Sequence, residues 1–289
     1  MEPSGLVSVA VATYNRPREL RRCLSSVVRQ THQPAEILVI DDHSPESAYR
    51  GIENEFRGVK YIRLPRRMGY IFARNLAIET AVGDWILMLD DDAELTAETA
   101  LEELSSFVEK YPRAGVFALN ITGPGGEPAW DVRRDPFSTA THTGCGCLLR
   151  KAAVREVGLY GEVFQFMGEE EDLSLRLLDA GWSTVALPAV VVYHAQSPLN
   201  RDWRRVRWMG HRNSVLRELL RCPGPVLPYY ALGTWLSNTL YNLRVRMLST
   251  ELRVLRELPW LLAAAVRWRR PVSWDTYRSW RRLRQNATL

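Results

Sequence analysis

The chain has 289 residues, 46% hydrophobic and 25% charged, which is an ordinary globular composition with room for one large domain or a domain and an appendage. Its net charge of +5 conceals two unlike parts: residues 1–195 carry 20 Lys/Arg and 28 Asp/Glu, while residues 196–289 carry 18 Arg and 5 Asp/Glu. Cys23, Cys145, Cys147 and Cys222 lack zinc or CxxC spacing and read as reduced thiols of a cytoplasmic protein. The N-terminus lacks the basic start and long apolar segment expected of a signal peptide.

Residues 6–12 form a β-rich apolar run that Thr13-Tyr14-Asn15-Arg16-Pro17 breaks. The period then predicts a helix over 18–30, with Leu20, Leu24, Val27 and Val28 on one face. A second buried strand, 37–40, ends in Asp41-Asp42-His43-Ser44, and Ser44-Pro45 reads as a helix start. A strand over 59–64 and a helix over 69–82, containing Ala73-Arg74-Asn75, follow. The apolar run 85–89 is a strand buried on both faces, and it runs straight into Asp90-Asp91-Asp92. An amphipathic helix over 95–110, capped by Thr96, precedes a strand over 115–120. This alternation predicts βαβ units and a mostly parallel sheet. Two strands ending in acids at one sheet edge make the geometry of a nucleotide crevice. No GxGxxG follows the first strand and no GxxxxGK[ST] occurs, so neither a dinucleotide-binding dehydrogenase nor a P-loop NTPase is supported.

After Asn120 the character changes. Residues 122–128 are a turn-rich loop, 143–150 a loop feeding a strand, and 151–157 a short helix stopped by Gly158. Phe164-Gln165-Phe166-Met167-Gly168 leads into Glu169-Glu170-Glu171-Asp172 and a helix closed by Gly181. Short strands over 183–187 and 190–193 end at His194. Three consecutive aspartates repel one another unless something compensates, such as a hard divalent cation bound to phosphate. The competing reading is a solvated loop that caps the next helix through Asp92. Likewise Glu169–Asp172 is either a helix start decorated with acids that suit the macrodipole, or a crowded carboxylate group fit for general-base work. Asp41-Asp42 also suits a capped turn, and His194 a strand-end histidine.

The tail is basic and holds seven of the tryptophans. A helix is expected over 201–221. Residues 222–243 carry no charge but contain Pro223, Pro225, Pro228, Asn238 and Asn242, a poor composition for a membrane span. The expectation is helices lying on the inner membrane face, Arg toward anionic headgroups and Trp at the interface, or packing on the catalytic domain or a second subunit as in a homodimer. No RNA-binding module is visible, so nucleic acid is not an expected partner.

Six segments together resemble glycosyltransferase family 2 of the GT-A fold: Val9 to Arg16 with its T-Y-N-R turn, Val39-Ile40-Asp41-Asp42-His43-Ser44, Gly69 with Ala73-Arg74-Asn75, Leu89-Asp90-Asp91-Asp92, Glu169 to Arg176 followed by Gly181, and His194. The resemblance implies an α/β GT-A-type nucleotide-binding domain with a mixed, mostly parallel sheet and a helical C-terminal extension. Residues 1–200 would be catalytic, with a nucleotide half to about 120 and an acceptor half beyond it, and residues 201–289 would be the extension. It implies a nucleoside-diphosphate sugar donor, Mg2+ or Mn2+, and inverting transfer to a hydroxyl of a glycan, lipid-linked or natural-product acceptor. Thr13, Tyr14, Asn15, Arg16, Asp41, Asp42, Gly69, Arg74, Asp90 and Asp91 would then bind the donor. Asp92, Asp90 and His194 would hold the metal, and Glu170, with Glu169 and Asp172 beside it, would activate the acceptor. Three positions depart from the family pattern: Arg67 replaces an Asn, Ala12 a proline, and Glu170 the commoner Asp. A sugar-phosphate nucleotidyltransferase and a non-catalytic nucleotide-sugar or glycan-binding scaffold are the alternatives. The former would need a Gly-rich basic N-terminal loop, which Thr13-Tyr14-Asn15-Arg16-Pro17 is not.

Overall fold

The computed structural model describes residues 5–197 and 202–286. In chain order the first half runs β1 (Val7–Thr13), α1 (Pro17–Val28), β2 (Glu36–Asp41), α2 (Ile52–Glu55), β3 (Val59–Arg63), α3 (Tyr70–Thr80), β4 (Trp85–Asp90), β5 (Ala93–Leu95), α4 (Ala100–Lys110) and β6 (Ala114–Thr122). It continues with β7 (Phe137–Ser138), β8 (Gly146–Arg150), α5 (Lys151–Glu156), α6 (Glu169–Asp179) and β9 (Ser183–His194). The C-terminal helices are α7 (Trp203–Arg221), α8 (Leu227–Arg244), α9 (Leu248–Arg256), α10 (Leu258–Trp268) and α11 (Trp274–Asn286). Arg201, the expected start of α7, and the expected boundary at 200/201 lie outside the described residues.

One mixed sheet runs in the order β3-β2-β1-β4-β8-β6-β9-β5, with β7 on β9. The apolar runs of β1, β2 and β4 are buried on both faces, which suits the parallel pairing they adopt. Their register sets Thr13 beside Asp41 and Ala12 beside Asp90, so three strands deliver polar residues to one rim. From β4 onward the pairing turns antiparallel through β8, and only β6 and β9 are parallel there. The core lies in two layers. One packs α1 and α4 against the sheet through Leu20, Leu24, Leu101 and Leu104; the other packs α3, α6 and α7 through Ile78, Leu173, Leu177 and Leu216. A third cluster, around Tyr277, Trp280 and Leu175, closes α11 onto α6. Fully burying aromatics of this size stabilises by about 1.5–3 kcal/mol each.

Three local expectations are corrected. The helix expected from residue 95 begins at Ala100, because residues 93–95 form β5, whose Ala93 pairs with His194. Thr96 therefore caps nothing; its N–H and hydroxyl donate to the Val191 carbonyl. The same strand removes the reading of Asp92 as a helix cap. Ser44-Pro45 opens a turn instead of a helix, since the Ser44 N–H and hydroxyl are both spent on Asp41. The two short strands near 190 are one, β9, with a register shift between Leu119 and Asn120 of its partner β6.

Candidate active site

A cleft of about 610 Å³ opens at the rim where β1, β2 and β4 end, within the size range of small-ligand sites. Its floor is Thr13, Asp90 and Asp91; the start of α3 supplies Gly69, Tyr70 and Arg74. Opposite stand Gln165, Phe166, Met167 and Glu170, with His194 at the end of β9 and Gln196 just beyond it. Asp202, Trp203, Arg205 and Val206 of the first turn of α7 complete the wall.

The three aspartates face three ways. Asp90, the most exposed, accepts from Arg74 Nη2 at 2.7 Å inside the cleft. Asp91 accepts from Thr13 Oγ1 at 2.8 Å and Arg16 Nη1 at 3.0 Å. Burial pushes Asp91 up to about 7, against the pull of Arg16 and Thr13. Asp92 is buried beneath the cleft: His194 Nε2 lies 3.1 Å from Oδ1, and the Ser197 N–H donates to Oδ2 at 2.8 Å. Burial would raise Asp92, but His194, the Ser197 N–H and Arg16 outweigh it and hold it below the usual carboxylate value.

Arg74 joins the two acidic segments. It is almost fully buried, with its guanidinium 4.7 Å from the Tyr70 ring centre. Nη2 serves Asp90, while Nη1 donates to Glu169 at 3.2 Å and Glu170 at 3.5 Å. Gly144 makes room for it, because a Cβ there would lie 2.3 Å from Arg74 Nη1.

Successive residues of a first helical turn point about 100° apart, and the acids of α6 are distributed accordingly. Glu169 is fully buried; its Oε1 accepts from Tyr70 Oη at 2.7 Å, and no side chain among the described residues donates to its Oε2. Burial and the neighbouring Glu170 charge push it up to about 8, despite Arg74. Glu170 alone of the four lines the cleft. Glu171 pairs with Arg217 of α7 and with Arg284 of α11. Asp172 does not reach the cleft at all. It is buried between Arg176 Nε at 2.7 Å and Arg221 Nε at 2.6 Å, which overcome the burial penalty and keep it ionised. The structure thus gives Asp172 a positioning place in the frame, not a place among reacting groups.

On the side of β1 and β2, Thr13, Tyr14, Arg16, Asp42 and Gly69 line the cleft, and the Arg67 guanidinium lies 3.8 Å over the Tyr14 ring. Asp42 fixes the loop opposite by accepting from the Met68 N–H at 2.6 Å and the Gly69 N–H at 3.1 Å. Asp41 and Asn15 do not line it. Asp41 is buried on Ser44 and on Tyr61 Oη at 2.6 Å. Asn15 has a φ of 51° and donates its N–H to Ser44 Oγ. Tyr70, Gln165, Gln196, Trp203 and Arg205 were not among the expected site residues. Trp203 and Arg205 sit in the basic tail, where no spacing tied them to a rim set by residues almost 200 positions earlier.

The loop before α6 is strained. Gln165 and Met167 have φ of 60° and 67°, ahead of Gly168 at 88°, conformations that persist only where surroundings impose them. Asn213 of α7 imposes them: its Nδ2 donates to the carbonyls of Phe164, Phe166 and Met167 at 2.7–2.9 Å.

Asp90 and His194 offer the oxygen and nitrogen donors that a divalent cation takes, whereas Asp92 Oδ1 is paired directly with His194 Nε2 at 3.1 Å and falls outside the cluster of candidate ligand atoms among the described residues. Asp90, Cys145 and His194 each place one ligand atom within 4.8 Å of the others. Burial holds the Cys145 thiol well above its ordinary value, so it is a neutral neighbour and not an oxygen-like ligand.

The model of glycosyl transferase family 2 matches residues 8–158. An N-acetylglucosaminyl-diphospho-decaprenol L-rhamnosyltransferase of Mycobacterium tuberculosis is 24% identical over 68% of this chain and 78% of its own. S. aureus TarS 1-349 in complex with UDP-GlcNAc superposes with a TM-score of 0.64 at 17% identity, over 89% of this chain and 79% of that one. Mannosyltransferase PcManGT from Pyrobaculum calidifontis, in complex with GDP-Man and Mn2+, gives 0.60 at 18% identity over 91% and 87%. These likenesses to solved structures show the fold, an α/β GT-A architecture with C-terminal helices.

Proposed function

The chain belongs to glycosyl transferase family 2, and from that premise we propose that it moves a sugar from a nucleoside-diphosphate sugar to an acceptor hydroxyl in a single inverting displacement. The observation that carries this reading is the place of Glu170. It is the one carboxylate of its segment open to the cleft, and it shares Arg74 with Asp90 across that cleft. A base on one side and a donor site on the other suit in-line attack, the single-displacement logic of inverting sugar chemistry.

In this reading Thr13, Tyr14, Arg16, Asp42, Gly69 and Arg67 surround the nucleotide, and Asp90 and Asp91 take the ribose and sugar side. Asp41 and Asn15 brace that pocket from behind. Mg2+ or Mn2+ would be held by Asp90, Asp92 and His194; when bound, it supplies a Lewis acid that neutralises charge on the leaving diphosphate. Arg74 adds a fixed positive charge and aims Glu170. Glu170 takes the proton from the attacking hydroxyl, and Glu169, buried behind it, keeps its own proton and so spares Glu170 a second neighbouring charge.

The acceptor class we propose is a lipid-linked glycan, supported by the M. tuberculosis relative, whose name specifies a diphospho-decaprenol acceptor. The place of action would be the cytoplasmic face of a membrane. Among the described residues no helix is long and apolar enough to cross one, so such contact would be peripheral. The test is a thermal-shift screen of UDP, GDP and dTDP sugars with Mn2+, followed by turnover with and without EDTA. A stabilising donor with metal-dependent turnover supports the reading. Binding without turnover toward any acceptor sinks it in favour of a non-catalytic scaffold.

A further inference from the structure

The C-terminal helices hold a second pocket, of about 420 Å³, lined by Arg204, Trp208, Ser249, Thr250, Arg253 and Arg256. Three guanidiniums and no carboxylate face it. The nearby acids turn inward: Glu251 accepts from Asn242 and Thr239, and Glu257 pairs with Arg212. The Arg253 guanidinium lies over the Trp208 ring, 3.7 Å from its centre. Cations gathered against their mutual repulsion make a site for an anion with several acceptor oxygens.

What surrounds the pocket selects the anion. On α9, Leu248, Leu252 and Leu255 are 50–60% exposed and share one helical face, about a quarter turn from the face of Arg253 and Arg256. The adjoining helices α8 and α10 expose Leu232, Leu236 and Leu240, and Leu258, Leu262 and Val266, at four-residue spacing. Guanidiniums bordering exposed leucines match the boundary between lipid phosphates and acyl chains, where amphipathic helices settle.

We propose that Arg204, Arg253 and Arg256 bind the phosphate of an anionic membrane lipid while the leucine face of α9 enters the acyl region beside it. The first turns of α7 stand between this pocket and the cleft: Trp203, Arg205 and Val206 face the cleft, and Arg204 and Trp208 face the pocket. One helix therefore relates the membrane surface to the reaction site. The inference rests on the pocket and the apolar face and is independent of the glycosyl-transfer reading.

The test is flotation of the full chain with phosphatidylcholine vesicles, with and without phosphatidylglycerol. The full chain is expected to float with the anionic vesicles only. Arg253→Ala/Arg256→Ala is expected to weaken that binding at least about tenfold, and Leu252→Gln/Leu255→Gln to abolish it. Both double variants should keep the wild-type circular-dichroism spectrum and melting temperature, which shows that they fold. Equal binding to neutral vesicles, or unchanged flotation of either variant, overturns the proposal. A thermal shift with inorganic phosphate but no flotation assigns the pocket to a soluble phosphate and overturns it too. So does a dimer in gel filtration that Leu252→Gln/Leu255→Gln splits while no vesicle binding is seen, since the apolar face then belongs to a second copy.

Discussion

Arg74 stands between Asp90 and Glu170, 2.7 Å from the first and 3.5 Å from the second, although the two acids are 80 residues apart in the chain. Its guanidinium touches both acidic segments of the cleft. Arg74→Ala leaves Asp90 and Glu170 without the cation they share and takes a donor from the buried Glu169, and leaving a buried acceptor unsatisfied costs about 1–3 kcal/mol. The expected result is a clear fall in melting temperature together with loss of transfer. Arg74→Lys should recover more stability than activity, because one ammonium cannot hold carboxylates on two sides at once.

Glu170→Gln keeps the shape of the cleft and removes the base. Nucleotide-sugar binding, read by calorimetry, should stay within a fewfold of wild type, while transfer falls by about 100-fold to 10,000-fold. Equal loss of binding and transfer would move Glu170 from base to binding residue.

Asp92→Ala is expected to abolish the part of donor binding that EDTA removes and to leave the metal-independent part in place. Comparing donor titrations with and without Mn2+ reads this directly. An unchanged metal dependence would pass the ligand role to Asp90 and His194 and leave Asp92 as the brace of His194 and Ser197.

Glu169 gives a pH signature. Its value in the folded chain is raised from 4.5 to about 8, so between those values the folded state holds a proton that the unfolded state has released. Stability from this group is therefore complete below about pH 4.5 and is lost as pH rises through about 8. Melting curves across that window should slope downward for the wild type and less steeply for Glu169→Gln. Equal slopes would mean that the buried carboxyl is ionised throughout.

Gly144→Ala tests the room left for Arg74. The added methyl meets the guanidinium at 2.3 Å, and overpacking of this kind costs about 1–3 kcal/mol. Activity is expected to fall more than stability, since the displaced group is the one holding the carboxylates. Wild-type kinetics would show that the guanidinium has slack.

Much of this was legible in the sequence because strands buried on both faces announce themselves as apolar runs, and the acids sit where those runs stop. The rim formed by Thr13, Asp90 and Asp91 follows from that pattern and from parallel register. The fates of neighbouring acids do not. Glu169, Glu170, Glu171 and Asp172 look interchangeable in one dimension, and only the 100° turn between successive residues, with Arg74, Arg217 and Arg221 arriving from elsewhere, separates them. β5 is not legible, because three residues carry no period and its apolar residues run on into those of the helix that begins at Ala100. The wall supplied by Trp203 and Arg205 is not legible, because the charge and aromatic content of the tail suit an outside partner as well as they suit the cleft.

The grip of Asn213 on the Phe164, Phe166 and Met167 carbonyls, and the return of Arg284 to Glu171, set an order of events in synthesis. Before α7 is made, the strained bend that presents Glu170 keeps the bond from the Met167 N–H to Tyr70 Oη but lacks the three bonds from Asn213, and Glu171 lacks Arg217 and Arg284 until α7 and α11 have followed. A nascent chain carrying every acid of the cleft is therefore expected to be silent, and a truncated product of proteolysis likewise, so that donor sugar is not consumed by unfinished copies.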